Sequence, residues 1–381
     1  MSADLGRSML WPLRPIGVGT ADAESAQSYA WRLANSHGVA PLTLHKFING
    51  HGAEIYKDLR GQPPRLDAPT AEASMYMQRL ATLTRQPEVA LLGLGWLAGR
   101  FSGQYLLRRQ RAWCAGCFRY MEASGMPLHE PLRWAFLLGA YCPRHGSLLC
   151  DRCPACGRMK SCSRVQADSV TRCDSCGVYL LQIPAGAYAG GVDGQRMSSG
   201  ERAIQDQLGE LICFATPAAL GRKPLSFARL IAELHRRGHP VSPTELTRRL
   251  GVVKSTVSSL MRGHSQPSLD FMLRLATALR VPLPDLLFER SGRDLDYLVA
   301  RPGWSAITWP ARTKPRIDWQ SAQGALDMEL QATVALPVSQ VARRLNIDAR
   351  HLAVAEPLRA AAIRRRYRAE ARTPSSAQLN C

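Results

Sequence analysis

The stretch that decides the reading runs from Trp113 to Leu181: WCAGCFRY (113–120), YCPRHGSLLCDRCPACG (141–157) and RCDSCGVYLL (172–181). It contains the pairs Cys114/Cys117, Cys142/His145, Cys153/Cys156 and Cys173/Cys176, each with two residues between its members. That spacing lets a short turn deliver two ligands to one ion, and two such pairs complete a closed tetrahedral zinc site. In chain order the pairs give one site of three cysteines and a histidine, then one of four cysteines, so two zinc ions are expected. One such pair is weak evidence, but four in sixty-odd residues are strong, because core cysteines have no reason to repeat at this interval. The N-terminal MSADLGRSMLWPLRP lacks the continuous apolar segment of an export signal. Paired thiols without one suggest a reducing compartment and a metal rather than disulfides. Cys150 could replace Cys153 by a slip of register, Cys162 lies outside the pattern, and Cys213 and Cys381 have no partner nearby. With all positions filled, no site is left for a catalytic water, and metal binding becomes folding free energy.

Working outward, a chain of 381 residues that is 46% hydrophobic suggests two to four ordinary domains. The longest apolar run, Ala90 to Ala98, is too short to cross a bilayer. A soluble, cytoplasmic protein is expected, with no membrane partner. The net charge of +19 points to an anionic partner. Residues 221–381 carry 26 basic and 13 acidic residues, against 23 and 17 in the first 220. The basic excess therefore belongs mainly to the C-terminal part.

The elements predict a mainly α, multidomain chain: a helical N-terminal domain, two small zinc-ribbon-like sites and C-terminal helix-turn-helix domains. Residues 1–112 form the helical domain. Within it, 22–60 is read as helical with Asp22 as a cap, and Thr70 to Leu83 as a second stretch behind Pro69. Residues 113–182 are the double zinc module. Inside it PLRWAFLLG (131–139) is expected to be a helix packing the first metal site onto the N-terminal domain. Residues 183–222 are a Gly-rich linker and a helix from Glu201 to Phe214. Residues 223–290 form a helix-turn-helix domain and 291–335 a Trp/Pro/Arg-rich connector. That connector is expected to cling to the surface, because Trp304, Trp309 and Trp319 need burial; stacking of single-stranded bases is the other reading. Residues 336–373 form a second, weaker helix-turn-helix, and 374–381 a tail.

In SPTELTRRLGVVKSTVSSLMRGHSQPS (242–268), Leu246 and Leu250 mark a first helix, Gly251 a left-handed turn, and Val257 and Leu260 the inner face of a second helix. The outer face of that second helix offers Lys254, Ser255, Thr256, Ser258, Ser259 and Arg262, suited to base edges in a major groove. Arg248 and Arg249 suit phosphates. The segment from Lys254 to Leu287 resembles the five-helix domain of phage repressors of the Cro/repressor type. Thr247 stands where a small Ala is usual and is expected to widen the helix pair slightly. A helical bundle that binds protein rather than DNA is the competing reading. In the second unit, Asn346 occupies the turn, and Ala353 and Val354 stand where polar reading groups would be expected. Arg364, Arg365, Arg366 and Arg368 suit phosphates, or else form a solvated charged helix.

The zinc segment resembles the TniQ family, whose relatives include TnsD. The opening WPLRPIGVGTADAESAQSYAWRLANSHGV (11–39), with Glu24, Ser25, Ser28, Tyr29, Arg32, Leu33 and Ala34, is similar to that family's N-terminal motif, and VARRLNIDARHLAVAEPLRAAAIRRRYRA (341–369) to modules of its longer members. The resemblance covers most of the chain, best at 113–181. It implies that Cys114, Cys117, Cys142, His145, Cys153, Cys156, Cys173 and Cys176 are zinc ligands. It also implies a role in choosing the target site of a bacterial transposon, by direct DNA binding or by docking on an RNA-guided complex, and recruitment of the transposon's AAA+ ATPase (TnsC-like) and transposase. The alternative function is a zinc-containing transcriptional repressor, a homodimer on palindromic DNA. Catalysis is not expected. GVVKST (251–256) lacks the second Gly of a phosphate loop, HEPLR (129–133) lacks the second His of a metalloprotease, and no acidic triad is evident.

Overall fold

The computed structural model describes residues 7–50, 65–102, 106–108, 110–159, 170–173, 175–181, 197–220, 222–223, 225–236, 242–288, 319–332, 335–345, 347 and 349–372. The chain divides into two compact units, Met1–Pro310 and Ala311–Cys381. The described residues are helical, joined by short turns and isolated antiparallel bridges. No helix among them is long and apolar enough to cross a membrane.

The first unit opens with α1 (Ala26–Ser36), α2 (Pro41–Gly50) and α3 (Ala71–Thr84). Tyr29 and Leu33 on α1 share one apolar cluster with Tyr76, Met77 and Leu80 on α3, each set recurring at helical spacing. Ser25 caps α1 by accepting from the Ser28 amide, and Thr70 caps α3 by accepting from Ala73. Asp22, expected as the cap, instead forms ion pairs with Arg133 and Arg144. The motif around Glu24 is a staple between distant segments. Its fully buried carboxylate accepts from Arg32 Nε at 2.7 Å and from Ser28 Oγ at 2.9 Å. Ser28 Oγ in turn accepts from the Glu130 amide. A buried Arg111–Glu130 pair lies alongside, with the Arg111 guanidinium 4.1 Å from the Trp31 ring centroid.

The run Pro131–Gly139 corrects the sequence expectation of a helix. Only Leu132–Ala135 turns, as a short 3-10 element, and the chain is extended at Phe136. Its amides and carbonyls bond outward instead: Leu132 N–H donates to Ala23, Leu137 N–H to Leu106, and Ala135 accepts from Arg108. These distant partners outcompete local helix bonds. The expected packing role holds, since Trp134 meets Phe118 edge-on at 5.3 Å, beside the first Cys/His cluster.

After α4 (Ala115–Ala123) comes α5 (Ser199–Cys213), opened by a capping box between Ser198 and Glu201. The expectation of a helix from Glu201 to Phe214 is met, but α5 belongs to the core rather than to a linker. Ile204, Leu208, Leu211 and Ile212 share one apolar cluster with Leu132 and Phe136 on one side and with the helix-turn-helix bundle on the other. Gln207 ties the bundle down twice, donating to the Val281 carbonyl at 3.0 Å and accepting from the Leu283 amide at 2.7 Å. Trp96, Phe214 and Phe288 stack nearby. The bundle comprises α6 (Pro217–Leu220), α7 (Phe227–Arg236), α8 (Pro243–Leu250), α9 (Lys254–Met261), α10 (Leu269–Leu279) and α11 (Leu283–Leu287). It is therefore welded to the N-terminal helices within one unit. Residues 182–196, most of the expected Gly-rich linker, lie outside the described residues, as do Cys162 and residues 289–318 with Trp304 and Trp309.

The second unit contains α12 (Trp319–Gln331), α13 (Val338–Arg344), α14 (Ala349–Ala355) and α15 (Pro357–Arg372). Trp319–Gln331, assigned to the connector on composition, is helix because Ala322 and Leu326 fall one turn apart and enter the core with Val341, Leu352 and Ile363. Asn346 lies outside the described residues.

Candidate metal centres and nucleic-acid interface

Three of the four ligand pairs lie in the same local structure. In each, the amide of the Gly after the second ligand donates back to the carbonyl of the first: Gly146 to Cys142, Gly157 to Cys153, and Gly177 to Cys173. Antiparallel bridges Tyr141–Leu148, Arg152–Met159 and Arg172–Tyr179 flank these turns. The three glycines have φ of +66°, +69° and +70°, a left-handed conformation that suits only Gly cheaply. The fourth pair differs. Cys114 is the N-terminal cap residue of α4 and Cys117 lies in its first turn.

Folding brings all eight residues into two groups, Cys114/Cys117/Cys142/His145 and Cys153/Cys156/Cys173/Cys176, with ligand atoms within 4.8 Å of one another in each group. In the first, His145 Nδ1 stands 3.4 Å from Cys114 Sγ and from Cys117 Sγ and 3.5 Å from Cys142 Sγ, and Cys117 and Cys142 are 3.5 Å apart. In the second, Cys153–Cys176 and Cys156–Cys173 are each 3.7 Å apart. Tetrahedral zinc with bonds of about 2.3 Å to sulfur and about 2.0 Å to nitrogen has ligand–ligand edges of roughly 3.5–3.8 Å. The donor sets and spacings fit zinc, and the closed four-ligand arrangement fits a structural rather than a hydrolytic role. Cys150 takes no place in either group. Its backbone exchanges two hydrogen bonds with Trp113, and burial pushes its thiol up to about 12. It is Cys153, not Cys150, that the fold groups with Cys156, Cys173 and Cys176.

The thiols of each group are pushed apart: mutual hydrogen bonds and burial raise Cys117, Cys142 and Cys153, while one thiol in each group is lowered. Hydrogen bonds from the Cys117 and Cys142 thiols hold Cys114 well below the usual thiol range. Burial raises Cys173, but the amides of Ser175 and Cys176 and the neighbouring thiols outweigh it and bring it to about 7. Each group thus favours at least one thiolate, the form that binds metal.

The helix-turn-helix has the expected geometry. Gly251 closes α8 at φ +62°, its amide donating to the Thr247 carbonyl. Leu246, Leu250, Val257 and Leu260 are buried and Val252 half-buried. The Thr247 hydroxyl is enclosed without a protein hydrogen-bond partner, a cost an Ala would not incur. Lys254, Ser255, Thr256 and Arg262 are exposed. Ser258 and Ser259 are half-buried, and Ser259 Oγ lies 3.0 Å from Ser265 Oγ, which makes Ser259 a loop-holding residue. Arg248 and Arg249 both pair with Glu245 at the surface.

In the second unit Arg364, Arg365 and Arg368 are exposed. Arg366 is not available to a phosphate in the way the sequence suggested. It donates to the carbonyls of Glu329, Leu330 and Ala332 and so caps the end of α12. On α14, His351 packs edge-on against Trp319 at 5.5 Å, and Val354 is 80% exposed.

The site and the fold together define a multidomain helix-turn-helix protein whose N-terminal platform is joined by Cys/His clusters able to hold metal. Residues 15–149 match the family model described as TniQ, and residues 241–286 match the model described as Helix-turn-helix. The chain therefore carries a TniQ-like segment and a helix-turn-helix segment of the kind that binds DNA. The TniQ match ends between the two clusters, so it is narrower than the resemblance suggested by the sequence. No curated protein matches the chain.

Proposed function

We propose that this protein is a zinc-containing, non-catalytic accessory factor of a bacterial transposon that binds target DNA through α8 and α9 and recruits the transposon's AAA+ ATPase through its N-terminal and metal-bound regions. The observation that carries this reading is the weld between the two domains. Gln207 and the apolar face of α5 fasten the helix-turn-helix to the TniQ domain. A partner held on that domain would sit at a fixed position relative to the bound DNA. The eight Cys and His residues are the zinc ligands. Lys254, Ser255, Thr256 and Arg262 contact bases, and Arg248, Arg249, Arg364, Arg365 and Arg368 contact phosphates after exchanging or extending their present contacts.

Pull-down of a transposon AAA+ ATPase from the same source, with and without DNA, tests the proposal. Retention that is strengthened by DNA is the expected result. Absence of any retention, together with binding of the free protein as a homodimer to palindromic duplexes, would favour the transcriptional repressor instead.

A further inference from the structure

The helices of the first unit are capped in a consistent way, and the exceptions are informative. The helices α1, α3, α5, α8 and α10 begin behind Ser25, Thr70, Ser198, Ser242 and Ser268, each hydroxyl accepting from the amide three residues on. Three helices of eight residues or more depart from this. The first, α2, follows Ala40 but opens on Pro41, whose missing N–H removes one of the donors a cap would satisfy. The cap residue of α4 is Cys114, whose sulfur belongs to a metal cluster. The cap residue of α9 is Val253, which makes no capping bond and is 68% exposed. Val is among the poorest residues at this position, and an exposed isopropyl group gains nothing from burial. Chemistry accounts for the exception at Cys114, and recognition can account for the one at Val253.

We propose that Val253 reads the C5 methyl group of a thymine in the major groove. It stands immediately before Lys254, Ser255 and Thr256, all exposed, at the end of α9 that approaches base edges in a helix-turn-helix. The packing duties of the turn are already met by Val252, Val257 and Leu260. On the major-groove edges of the four bases, the thymine methyl is the apolar feature that an isopropyl group can contact. Val253 thus adds an apolar specificity determinant to the polar ones. This inference rests on α9 being the reading helix.

The test uses the full chain and a duplex enriched from a randomised pool by this protein. Each thymine is replaced in turn by deoxyuridine, which lacks only that methyl. At one position the wild-type protein should lose about fourfold in affinity, the value of one buried methyl. Val253→Ser should bind the thymine and uracil duplexes equally, and Val253→Ala, which keeps one methyl, should discriminate less than the wild type. Val253→Ser also supplies the missing cap, so its Tm should rise while its discrimination disappears, which separates loss of reading from loss of fold. Unchanged discrimination in Val253→Ser, or no thymine preference at any position in the wild type, would overturn the inference and leave DNA binding by α9 intact. A pool that yields no enriched duplex would bring down both.

Discussion

The two Cys/His clusters share a chemistry and differ in what they hold together. The first draws two ligands from a helix and two from a turn, and Cys114, Cys117 and Cys142 are buried. It stands beside Trp113, Phe118, Met121 and Trp134, within the segment matched by the TniQ model. The Glu24–Arg32 and Arg111–Glu130 pairs then connect that ground to α1. The second is built from two turns alone, has Cys156 and Cys176 exposed, and lies beyond the TniQ match. The first cluster is thus a joint between a helix and a turn inside the TniQ segment, and the second is a clasp on two loops that enter the same apolar cluster through Cys153, Cys173, Leu180 and Leu181. Equal ligand counts do not imply equal structural consequence. What matters is how much apolar and hydrogen-bonded structure depends on each ion.

The largest expected effect is a contrast between two single substitutions. Cys117→Ser and Cys176→Ser should each lower bound zinc from two ions to one per chain by elemental analysis. Cys117→Ser should also release α4 and the Trp134 contact, costing more than about 5 kcal/mol, since a structural zinc is worth on the order of 10 kcal/mol of folding free energy. Limited proteolysis should then cut between Trp113 and Leu149. Cys176→Ser should leave that region protected and lower the stability of the unit far less. Equal protease sensitivity in the two variants would erase the distinction.

A second contrast uses pH. Beside the first cluster's ground lies Asp67, fully buried and accepting from the Ala26 amide at 2.8 Å at the start of α1. Burial pushes its carboxyl up to about 6. A carboxyl whose folded pKa is raised favours folding in its protonated form. Its contribution is complete below the unfolded value of about 4 and is lost as pH rises through about 6. A shift of about two units corresponds to roughly 3 kcal/mol. Asp67→Asn keeps an acceptor without the charge. Relative to the wild type it should therefore gain up to about 3 kcal/mol between pH 4 and pH 7 in denaturant titrations run on both proteins at each pH. The gain should persist in the Cys176→Ser background, because Asp67 belongs to the other cluster's surroundings. A stability difference that does not change with pH would place the ionisation cost elsewhere.

The sequence made the ligand sets legible because chelation is local: two residues between ligands and a Gly after the second specify each turn before any tertiary contact exists. The reading helix was legible for the same reason, through Gly251 and the spacing of Leu246, Leu250, Val257 and Leu260. What was not legible depends on distant partners. Pro131–Gly139 has the apolar content of a helix, yet its backbone bonds go to Ala23, Leu106 and Arg108. Arg366 looks like its neighbours in a basic run, and only the fold brings the carbonyls at the end of α12 to it. The role of α5 as a weld depends on Gln207 reaching Val281 and Leu283, more than seventy residues away. Val253 could have been noticed as a missing Ser or Thr ahead of α9, but its exposure could not.

The smallest effects come from glycines, and they divide along the same line. At Gly116 an added Cβ would lie 2.9–3.0 Å from the His145 ring, and the backbone there is not left-handed. The obstacle is steric, and the obstructing ring belongs to the first group of possible metal ligands, so with zinc bound it could not swing aside without leaving the ion. Gly116→Ala should therefore cost about 1–3 kcal/mol and weaken zinc retention at the first cluster against a competing chelator. Gly177, at φ +70°, has open space where its Cβ would be. Gly177→Ala should cost about 1–2 kcal/mol through backbone strain alone, with the ligands left in place and zinc retention little changed. If Gly177→Ala releases zinc as readily as Gly116→Ala, the second cluster depends on its turn geometry as strongly as the first depends on its packing, and the joint-and-clasp distinction reduces to exposure.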